Sequence, residues 1–400
     1  MNSSYSAQDK ARIRHQLAEL AKAATFSSAS QLVSLLTYLV DAELDGTAHE
    51  LNQARIAIDV LGRSAAFDAT TDSVVRVEAG RLRSKLRDYY LAEGSADEIR
   101  FEVPKGRYNP KIHFAAAPHS PAATQQIRLL KRPDGTSLAY AVSGKGMPLV
   151  KAANWLSHVE FDHQSPVWLH WWRELSARYR LIRYDVRGSG LSDWDVEFGF
   201  DTWVEDLEAV IQQTVQGKCA LLGISQGAAV AIAYAAKHPE RVSHLILYGG
   251  YAQGRLKRDC TEAKKEEALT LARLIRIGWG SAHPAFRRVF ASLFLPDGTP
   301  EQFDSFDALQ RVSTSPENAA RFVATTHHLD VVQLAEQVKV PTLVMHAKDE
   351  LVIPTEQARL LAKSIPNARL VLLEGRNHIL GEAEPAWTRF LKELDTFLAE

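Results

Sequence analysis

Residues 219–237 read CALLGISQGAAVAIAYAAK, the segment of the chain that is most informative about its fold. Its first six residues, Cys219 to Ile224, are apolar and predict a short buried strand, and the residues from Gly227 onward predict a helix of small side chains. Between them, residues 223–227 (GISQG) predict a sharp turn from strand to helix. Two glycines let strand and helix pass closely, so the turn holds the Ser225 hydroxyl exposed.

The chain from residue 126 onward alternates between apolar runs and helical periodicity. Asp134-Gly135 marks a hairpin between the first two runs, and helices separate most of the later ones. This alternation predicts a mostly parallel sheet covered by helices on both faces. The predicted strands are 127–130, 137–142, 148–153, 179–185, 219–224, 245–248, 342–346 and 369–373.

A serine hydroxyl becomes a useful nucleophile only beside a base that is itself oriented by an acid. Downstream of Ser225, an apolar strand ends in the adjacent carboxylates Asp349 and Glu350, and His378 follows the last predicted strand. Neighbouring side chains on a turn point apart, so only one of the two carboxylates can reach the imidazole.

The order serine, acid, histidine, with residues 185–193 (DVRGSGLSD), resembles the α/β-hydrolase superfamily over about residues 126–400. The resemblance implies Ser225 as nucleophile, His378 as general base and Glu350 as acid. Most relatives would have Asp at the acid position, so Asp349 stays open as the alternative acid. The resemblance also implies an oxyanion hole made by the backbone N–H groups of Gln226 and Trp155, although relatives commonly show His-Gly where this chain has Asn154-Trp155.

Residues 251–338 are helical in pattern and look like the helical cap of the same superfamily, a lid that shapes the pocket. We expect Trp155 to form a pocket wall, and Trp168, Trp171 and Trp172, at helical spacing, to pack in the core. No cluster of arginines or carboxylates marks the pocket in the sequence, which favours a small, uncharged, apolar ester, lactone or similar acyl compound. We expect no cofactor and no metal, since His327 and His328 are consecutive and diverge on a helix.

The N-terminal part, residues 1–114, precedes an uncharged, proline-containing stretch that predicts a linker at 115–126. Helical periodicity covers 9–24, 28–44 and 51–61. Asp72 is placed to cap a fourth helix, 73–90, whose apolar stripe faces a core and whose remaining surface is rich in arginine. Residues 99–103 and 108–114 then predict a hairpin around the turn 104–107.

Residues 74–86 (VVRVEAGRLRSKL) followed by residues 99–108 (IRFEVPKGRY) resemble the recognition helix and wing of OmpR-type winged helix-turn-helix domains. The resemblance implies double-stranded DNA as a partner, since a helix fits the major groove and arginine can grip guanine edges there. A solvated amphipathic helix is the alternative. The residues implied to face DNA are Arg76, Arg81, Arg83 and Lys85 on the helix and Lys105 and Arg107 on the wing.

The composition excludes several classes of protein. The chain of 400 residues is 46% hydrophobic and 24% charged, which excludes a collagen, a coiled coil or a mostly disordered protein. No apolar run is long enough to span a bilayer, the N-terminus lacks a secretory pattern, and Cys219 and Cys260 cannot make a disulfide framework. We therefore expect a cytoplasmic protein without a membrane partner. The net charge of −1 gives no general sign of nucleic-acid binding.

Three functions fit these patterns. The first is a one-component transcriptional regulator whose serine hydrolase domain, residues 127–400, acts on or senses a small apolar acyl compound. The second is a plain carboxylesterase whose N-terminal domain serves dimerisation or protein contacts, and the third is a cofactor-free perhydrolase. By analogy with winged-helix regulators, we expect a homodimer.

Overall fold

The computed structural model describes residues 5, 7–64, 67–69, 71–91, 93, 94, 97, 99–104, 106–114, 125–258, 261–279, 281 and 285–400. The chain divides into two compact units, Met1–Ser120 and Pro121–Glu400. The division falls within the segment predicted as a linker, of which residues 115–124 lie outside the described residues.

The N-terminal unit contains helices followed by a hairpin. Its elements are α1 (Ala7–Lys22), α2 (Ser30–Leu44), α3 (Gln53–Asp59), α4 (Val74–Leu91), β1 (Ile99–Glu102) and β2 (Lys111–Phe114). Strands β1 and β2 pair antiparallel, with Ile99 opposite Phe114. The second strand begins three residues later than predicted, since Pro110 has no N–H to give to a ladder.

Side chains from α1, α2, α3, α4 and β1 share one apolar core. The predicted stripe of α4 is buried: Val75, Ala79, Leu82, Leu86 and Tyr89 are each at most 4% exposed, and all of them except Ala79 belong to this core. The Asp72 carboxylate accepts from the Val74 N–H at 2.9 Å, which satisfies one of the free donors in the first turn of α4. The apolar periodicity and the cap residue thus both place α4 as the sequence predicts.

The C-terminal unit is built on one sheet of eight strands among the described residues. They are β3 (Gln126–Lys131), β4 (Ser137–Ser143), β5 (Pro148–Ala152), β6 (Arg180–Tyr184), β7 (Cys219–Ile224), β8 (Val242–Tyr248), β9 (Thr342–Ala347) and β10 (Arg369–Leu373). The order across the sheet is β10-β9-β8-β7-β5-β6-β4-β3. Strands β3, β4 and β6 pair antiparallel, and every other pairing is parallel. The prediction of a mostly parallel sheet is confirmed.

Helices cover both faces of this sheet. The helices of the unit are α5 (Leu169–Arg178), α6 (Phe200–Thr214), α7 (Gly227–Lys237), α8 (Glu262–Gly278), α9 (Ala285–Phe294), α10 (Pro300–Ser313), α11 (Pro316–His327), α12 (Val332–Ala335), α13 (Thr355–Ser364) and α14 (Pro385–Leu398). The unit has two apolar cores, and alternate side chains of strand β7 pack into one or the other. Cys219 and Leu221 join the core under α6 and α7, while Ala220 and Leu222 join the core under α5 and α14.

Residues 251–338, here named the cap, contain the helices α8 to α12 among their described residues, which agrees with the helical pattern of this segment in the sequence. The tryptophans of α5 and its N-terminus lie in the core as expected, with Trp168, Trp171 and Trp172 each at most 3% exposed. Within the described part of the chain, every helix is too short or too polar to cross a membrane.

Candidate active site

The turn after β7 holds Ser225 in an uncommon backbone conformation. Its φ is +54°, which places a non-glycine residue in the left-handed region. The Ser225 N–H donates to the Tyr248 carbonyl at 3.0 Å, and its carbonyl accepts from Ala228 at 3.1 Å. These bonds on both sides of the residue maintain the strained turn, with the side chain half-buried at its tip.

The two glycines of residues 223–227 are required by close packing. A Cβ on Gly223 would lie 2.6 Å from the Ala228 Cα, and a Cβ on Gly227 would lie 3.0 Å from the Ala152 carbonyl oxygen. Backbone atoms cannot swing away as a flexible side chain could. The sequence interpretation of a strand, a tight turn and a helix in close passage is therefore confirmed.

His378 lies in the loop between β10 and α14, and its side chain is paired with Glu350. Its Nδ1 is 2.8 Å from Glu350 Oε2, and both side chains are at most 2% exposed. The His378 N–H donates to the Phe294 carbonyl at 2.9 Å, which fixes the loop against α9. The other ring nitrogen, Nε2, is buried and has no hydrogen-bond partner among the described residues.

Glu350 reaches the imidazole and Asp349 does not. The second oxygen of Glu350, Oε1, accepts a hydrogen bond from the Ile353 N–H. Both carboxylate oxygens therefore have a partner that fixes their position. The Asp349 side chain is exposed. Of the two carboxylates that the sequence left open, the fold brings Glu350 to His378.

Two residues near this pair were missed by the sequence analysis. Gly249, directly after β8, has φ +56°, and a Cβ there would lie 3.0 Å from His378 Cε1. The residue therefore makes room for the imidazole. His346 in β9 is fully buried, and its Nε2 lies 3.8 Å from Glu350 Oε2. Burial lowers the pKa of His346, which favours its neutral form beside the carboxylate. Only the consecutive glycines after β8 could have hinted at the first of these residues.

The residues predicted to form an oxyanion hole are in contact with each other. Trp155 follows β5, and its backbone N–H donates to the side-chain Oε1 of Gln226 at 3.0 Å. The Asn154 side chain donates to the Trp155 carbonyl at 3.2 Å and accepts from Lys151 Nζ. These hydrogen bonds hold the loop in place. In this conformation the side-chain oxygen of Gln226 accepts the backbone N–H of Trp155, so that N–H is not available to an oxyanion.

Two neighbouring cavities meet at Ser225. The smaller one, here named the histidine cavity, is lined by Ser225, His378, Trp155 and Trp168 among others. The other, here named the cap cavity, encloses about 90 Å³ and is bounded by Ser225, Trp155 and residues of the cap. The expectation that Trp155 forms a pocket wall is confirmed.

The cap cavity corrects one premise of the sequence analysis. The sequence showed no cluster of arginines that marks a pocket, yet Arg255 and Arg258 both line this cavity, with His327 beside them. The two arginines lie shortly after β8, and His327 lies at the end of α11. Arg255 and Arg258 are only three positions apart, but both are far in the chain from Ser225 and from His327, so only the fold brings them to the wall of this cavity.

In the N-terminal unit, the structure separates the residues predicted to face DNA. Arg76, Arg81 and Arg107 are exposed, whereas Lys105 lies outside the described residues. Arg83 donates to the carbonyls of Val103 and Pro104 at 2.8 and 3.0 Å, and Lys85 donates to the Thr25 carbonyl at 2.8 Å. Arg83 and Lys85 therefore hold α4 against the rest of its own unit, a role that the sequence did not reveal.

Comparison with known proteins agrees with the architecture of the C-terminal unit. A family model described as alpha/beta hydrolase fold matches residues 161–385. AB hydrolase superfamily protein YisY of Bacillus subtilis (strain 168) is 29% identical over 254 residues, covering 59% of this chain and 86% of that relative. Proline iminopeptidase PfmaB of Pestalotiopsis fici is 26% identical over 257 residues, covering 61% of this chain and 90% of that relative.

Among solved structures, the esterase EaEST from Exiguobacterium antarcticum superposes with a TM-score of 0.59 at 26% identity. The superposition covers 68% of this chain and 99% of that structure. The N-terminal unit, Met1–Ser120, lies outside the residues that the family model matches.

Proposed function

Because the chain belongs to the α/β-hydrolase fold family, we propose that it is a serine hydrolase that cleaves esters or related small acyl compounds. The observation that carries this proposal is the state of His378. One ring nitrogen is paired with Glu350, and the other is unpartnered among the described residues, in a cavity whose wall also contains Ser225. An imidazole oriented by a carboxylate on one side and open on the other is the arrangement of a general base.

In the proposed first step, the Ser225 oxygen attacks the carbonyl carbon of the substrate while its proton passes to His378 Nε2. Glu350 keeps Nδ1–H directed at its own carboxylate and stabilises the imidazolium that forms. Collapse of the tetrahedral intermediate breaks the bond to the leaving alcohol, which takes the proton from Nε2. Ser225 then carries the acyl group as an ester.

In the second step, water attacks the acyl-serine after giving a proton to His378. The carboxylic acid leaves, and the proton returns to the Ser225 oxygen. The negative oxygen of each tetrahedral intermediate needs backbone donors. The N–H groups of Gln226 and Trp155 are the proposed pair, which requires the Gln226 side chain to leave the Trp155 N–H when substrate arrives.

The relatives support a hydrolase, since the proteins similar to this chain include one named an iminopeptidase and one named an esterase. The cap cavity has an apolar lining that includes Leu271, Phe290 and Leu293. This lining supports a hydrocarbon acyl chain as the group bound beside Ser225.

Labelling and kinetics test this proposal together. A fluorophosphonate probe should label the protein once, at Ser225, and the protein should hydrolyse 4-methylumbelliferyl esters of short acids. Ser225→Ala should abolish both, whereas Ser292→Ala, which alters an exposed serine of the cap, should keep both. A protein that binds acyl compounds but shows neither labelling nor hydrolysis would be a receptor on this fold, and the proposal would be wrong.

A second function is proposed for the N-terminal unit, which we infer binds double-stranded DNA, making the protein a one-component transcriptional regulator. The exposed face of α4 supports this inference. It carries Arg76 and Arg81 beside Val77, which is 52% exposed, and the small residues Gly80 and Ser84. Such a face can approach base edges closely, with arginine for guanine and an apolar group for the thymine methyl.

Gel retardation at several salt concentrations tests the second function, with DNA from upstream of the protein's own gene. Arg76→Ala and Arg107→Ala should each weaken binding and reduce its salt dependence, because each removes a cation that contacts DNA. Arg14→Ala serves as the control, since Arg14 is exposed on α1 and paired with Asp41. Absence of any shift at low salt would favour the plain esterase whose N-terminal unit serves protein contacts.

A further inference from the structure

One buried, ionisable residue of strand β5 has no part in the mechanism above. Lys151 is 5% exposed, and it is paired in register with Leu222 of the neighbouring strand β7. Burying an ammonium group costs free energy because the group loses its hydration, and only suitable partners offset this cost. The presence of a lysine at a position where an apolar side chain would pack therefore needs an explanation.

The ammonium of Lys151 fixes the side chain of Asn154, three residues later in the chain. Lys151 Nζ donates to Asn154 Oδ1, and Asn154 Nδ2 donates to the Trp155 carbonyl at 3.2 Å. Because an ammonium can only donate, it requires the amide oxygen of Asn154 to face the lysine and the amide nitrogen to face Trp155. The reversed amide would place its oxygen against the Trp155 carbonyl, and neither group could donate.

Trp155 is thereby held at both polar groups of its backbone. Its carbonyl accepts from Asn154, and its N–H donates to Gln226 Oε1 at 3.0 Å. This N–H is one of the two donors proposed for the oxyanion. Such a donor stabilises the transition state only when it is already directed at the place where negative charge develops. The orientation of the Asn154 amide therefore affects the geometry of the oxyanion hole.

A buried cluster of charges surrounds Lys151. Its Nζ lies 5.6 Å from the centre of the Trp172 ring, and the guanidinium carbon of Arg183 lies 4.5 Å from the same centre. Arg183 Nη1 is 3.9 Å from Asp162 Oδ2. Burial lowers the pKa of Lys151, and Asp162 and Asp185 oppose this shift while Arg183 adds to it. The two carboxylates thus help the amine to keep its proton.

The same cluster fixes the other end of the loop that begins at Trp155. The Val159 N–H donates to Asp185 Oδ1 at 3.0 Å, and the Val159 carbonyl accepts from Arg183 Nη2 at 3.3 Å. Charged side chains therefore hold the backbone of this loop at Val159, and Lys151 acts through Asn154 at its start.

We propose that Lys151 is a positioning residue of the oxyanion hole. Its buried ammonium sets the orientation of the Asn154 amide, which in turn directs the backbone N–H of Trp155. The inference rests on the proposed hydrolase function and adds to it a residue that lines neither cavity at Ser225. Replacement of Lys151 should therefore act on the oxyanion and not on substrate binding.

Kinetics of two variants test the inference. Lys151→Met keeps a side chain of similar length without its donors, and Asn154→Asp keeps an acceptor for Lys151 but loses the donor to Trp155. Each should lower kcat for 4-methylumbelliferyl butyrate by about 10- to 100-fold and keep KM within about threefold, because the affected interaction forms in the transition state. Since Lys151 acts through Asn154, the double variant should be no slower than the slower single variant.

Lys145→Met is the control, since Lys145 is an exposed lysine between β4 and β5. It should keep the kcat of the wild type. Melting temperature shows whether each variant is folded. If Lys151→Met does not fold, Asn154→Asp decides the question, because it keeps a partner for the buried ammonium. Wild-type kcat in the folded variants would overturn the inference while the hydrolase function stands.

Hydrogen exchange separates the inference from catalysis. In protein labelled with ¹⁵N-tryptophan, the backbone amide of Trp155 is identified by its absence in Trp155→Phe. It should exchange at least about tenfold faster in Lys151→Met and in Asn154→Asp than in the wild type. The Trp203 N–H, which donates to the Gly199 carbonyl at 3.1 Å in α6, should not change, and this excludes a general loosening of the fold.

The exchange result stands apart from any esterase activity. Faster exchange at Trp155 in a protein that hydrolyses no ester would support the positioning role of Lys151 and show that the hydrolase function is wrong. Unchanged exchange at Trp155 in both variants would overturn the inference, whether or not esters are hydrolysed.

Discussion

The backbone N–H of Trp155 donates a hydrogen bond to Oε1 of Gln226 at 3.0 Å, so one expected oxyanion donor is occupied by the side chain of the residue that supplies the other. The amide nitrogen of Gln226, Nε2, is buried and has no partner among the described residues. The Gln226 side chain therefore makes a hydrogen bond through its oxygen alone. Moving it away from the Trp155 N–H loses the free energy of that one hydrogen bond and little more.

Replacement of Gln226 by alanine should increase activity. The variant keeps the backbone N–H of residue 226 and releases that of Trp155, and a hydrogen bond worth about 0.5–1.5 kcal/mol corresponds to about a 2- to 10-fold rise in kcat/KM. Gln226→Met, which keeps the length of the side chain, should behave likewise, and Gln212→Ala on exposed α6 surface should change nothing. A fall in both Gln226 variants would mean that the amide supports the loop instead.

Replacement of Glu350 should be far more harmful than replacement of Asp349. Glu350→Gln removes the carboxylate that orients His378 Nδ1–H and should lower kcat by about 10⁴-fold. Asp349→Asn alters an exposed side chain and should stay within twofold of wild type. Steady-state hydrolysis of 4-methylumbelliferyl butyrate measures both rates. Comparable losses in the two variants would contradict the assignment.

Acid should destabilise the protein in part through His170. Burial lowers the pKa of His170 from 6.5 to about 4, and its Nε2 lies 2.9 Å from the Leu380 carbonyl. Between these pH values the unfolded chain binds the extra proton and the folded chain does not. The free energy of unfolding should therefore fall as the pH drops from 6.5 to 4, by on the order of 2–3 kcal/mol from this residue.

Melting temperatures measured between pH 7.5 and 4 check this expectation. His170→Gln can keep a donor to the Leu380 carbonyl but cannot titrate, so its melting temperature should depend less on pH than that of the wild type. His328→Gln changes an exposed histidine and should follow the wild type. Parallel curves for His170→Gln and the wild type would show that other groups control acid unfolding.

Asp206 should be one of the residues most important for stability. It is fully buried, and its two oxygens accept from Nε and Nη2 of Arg187 at 2.6 Å each. Asp206→Asn removes the buried carboxylate that Arg187 and Arg132 share and leaves Arg187 only the exposed Asp134 as an acidic partner, which should lower the free energy of unfolding in urea by about 3–5 kcal/mol. Glu205→Gln changes the exposed neighbour and should cost less than about 1 kcal/mol. Equal costs would contradict this account.

Much of the fold could be predicted from local pattern. Strand β7 and the turn at Ser225 were evident because an apolar run and two glycines act within a few residues. The buried stripe of α4 followed from helical periodicity in the same way. Boundaries were less certain, as the late start of β2 at Lys111 illustrates. There a single proline outweighed the alternating pattern.

The order of the chemical groups is evident from the amino-acid sequence: a serine on a tight turn, then two adjacent carboxylates, then a histidine after the last strand. The folded chain was needed to show that Glu350 and not Asp349 contacts His378 and that Gly249 makes room for the imidazole. It was also needed to show that Arg255, Arg258 and His327 line the same cavity. The reason is physical. Periodicity and turn chemistry act between residues close in the chain, whereas the direction of a side chain and the contents of a cavity depend on packing between distant elements.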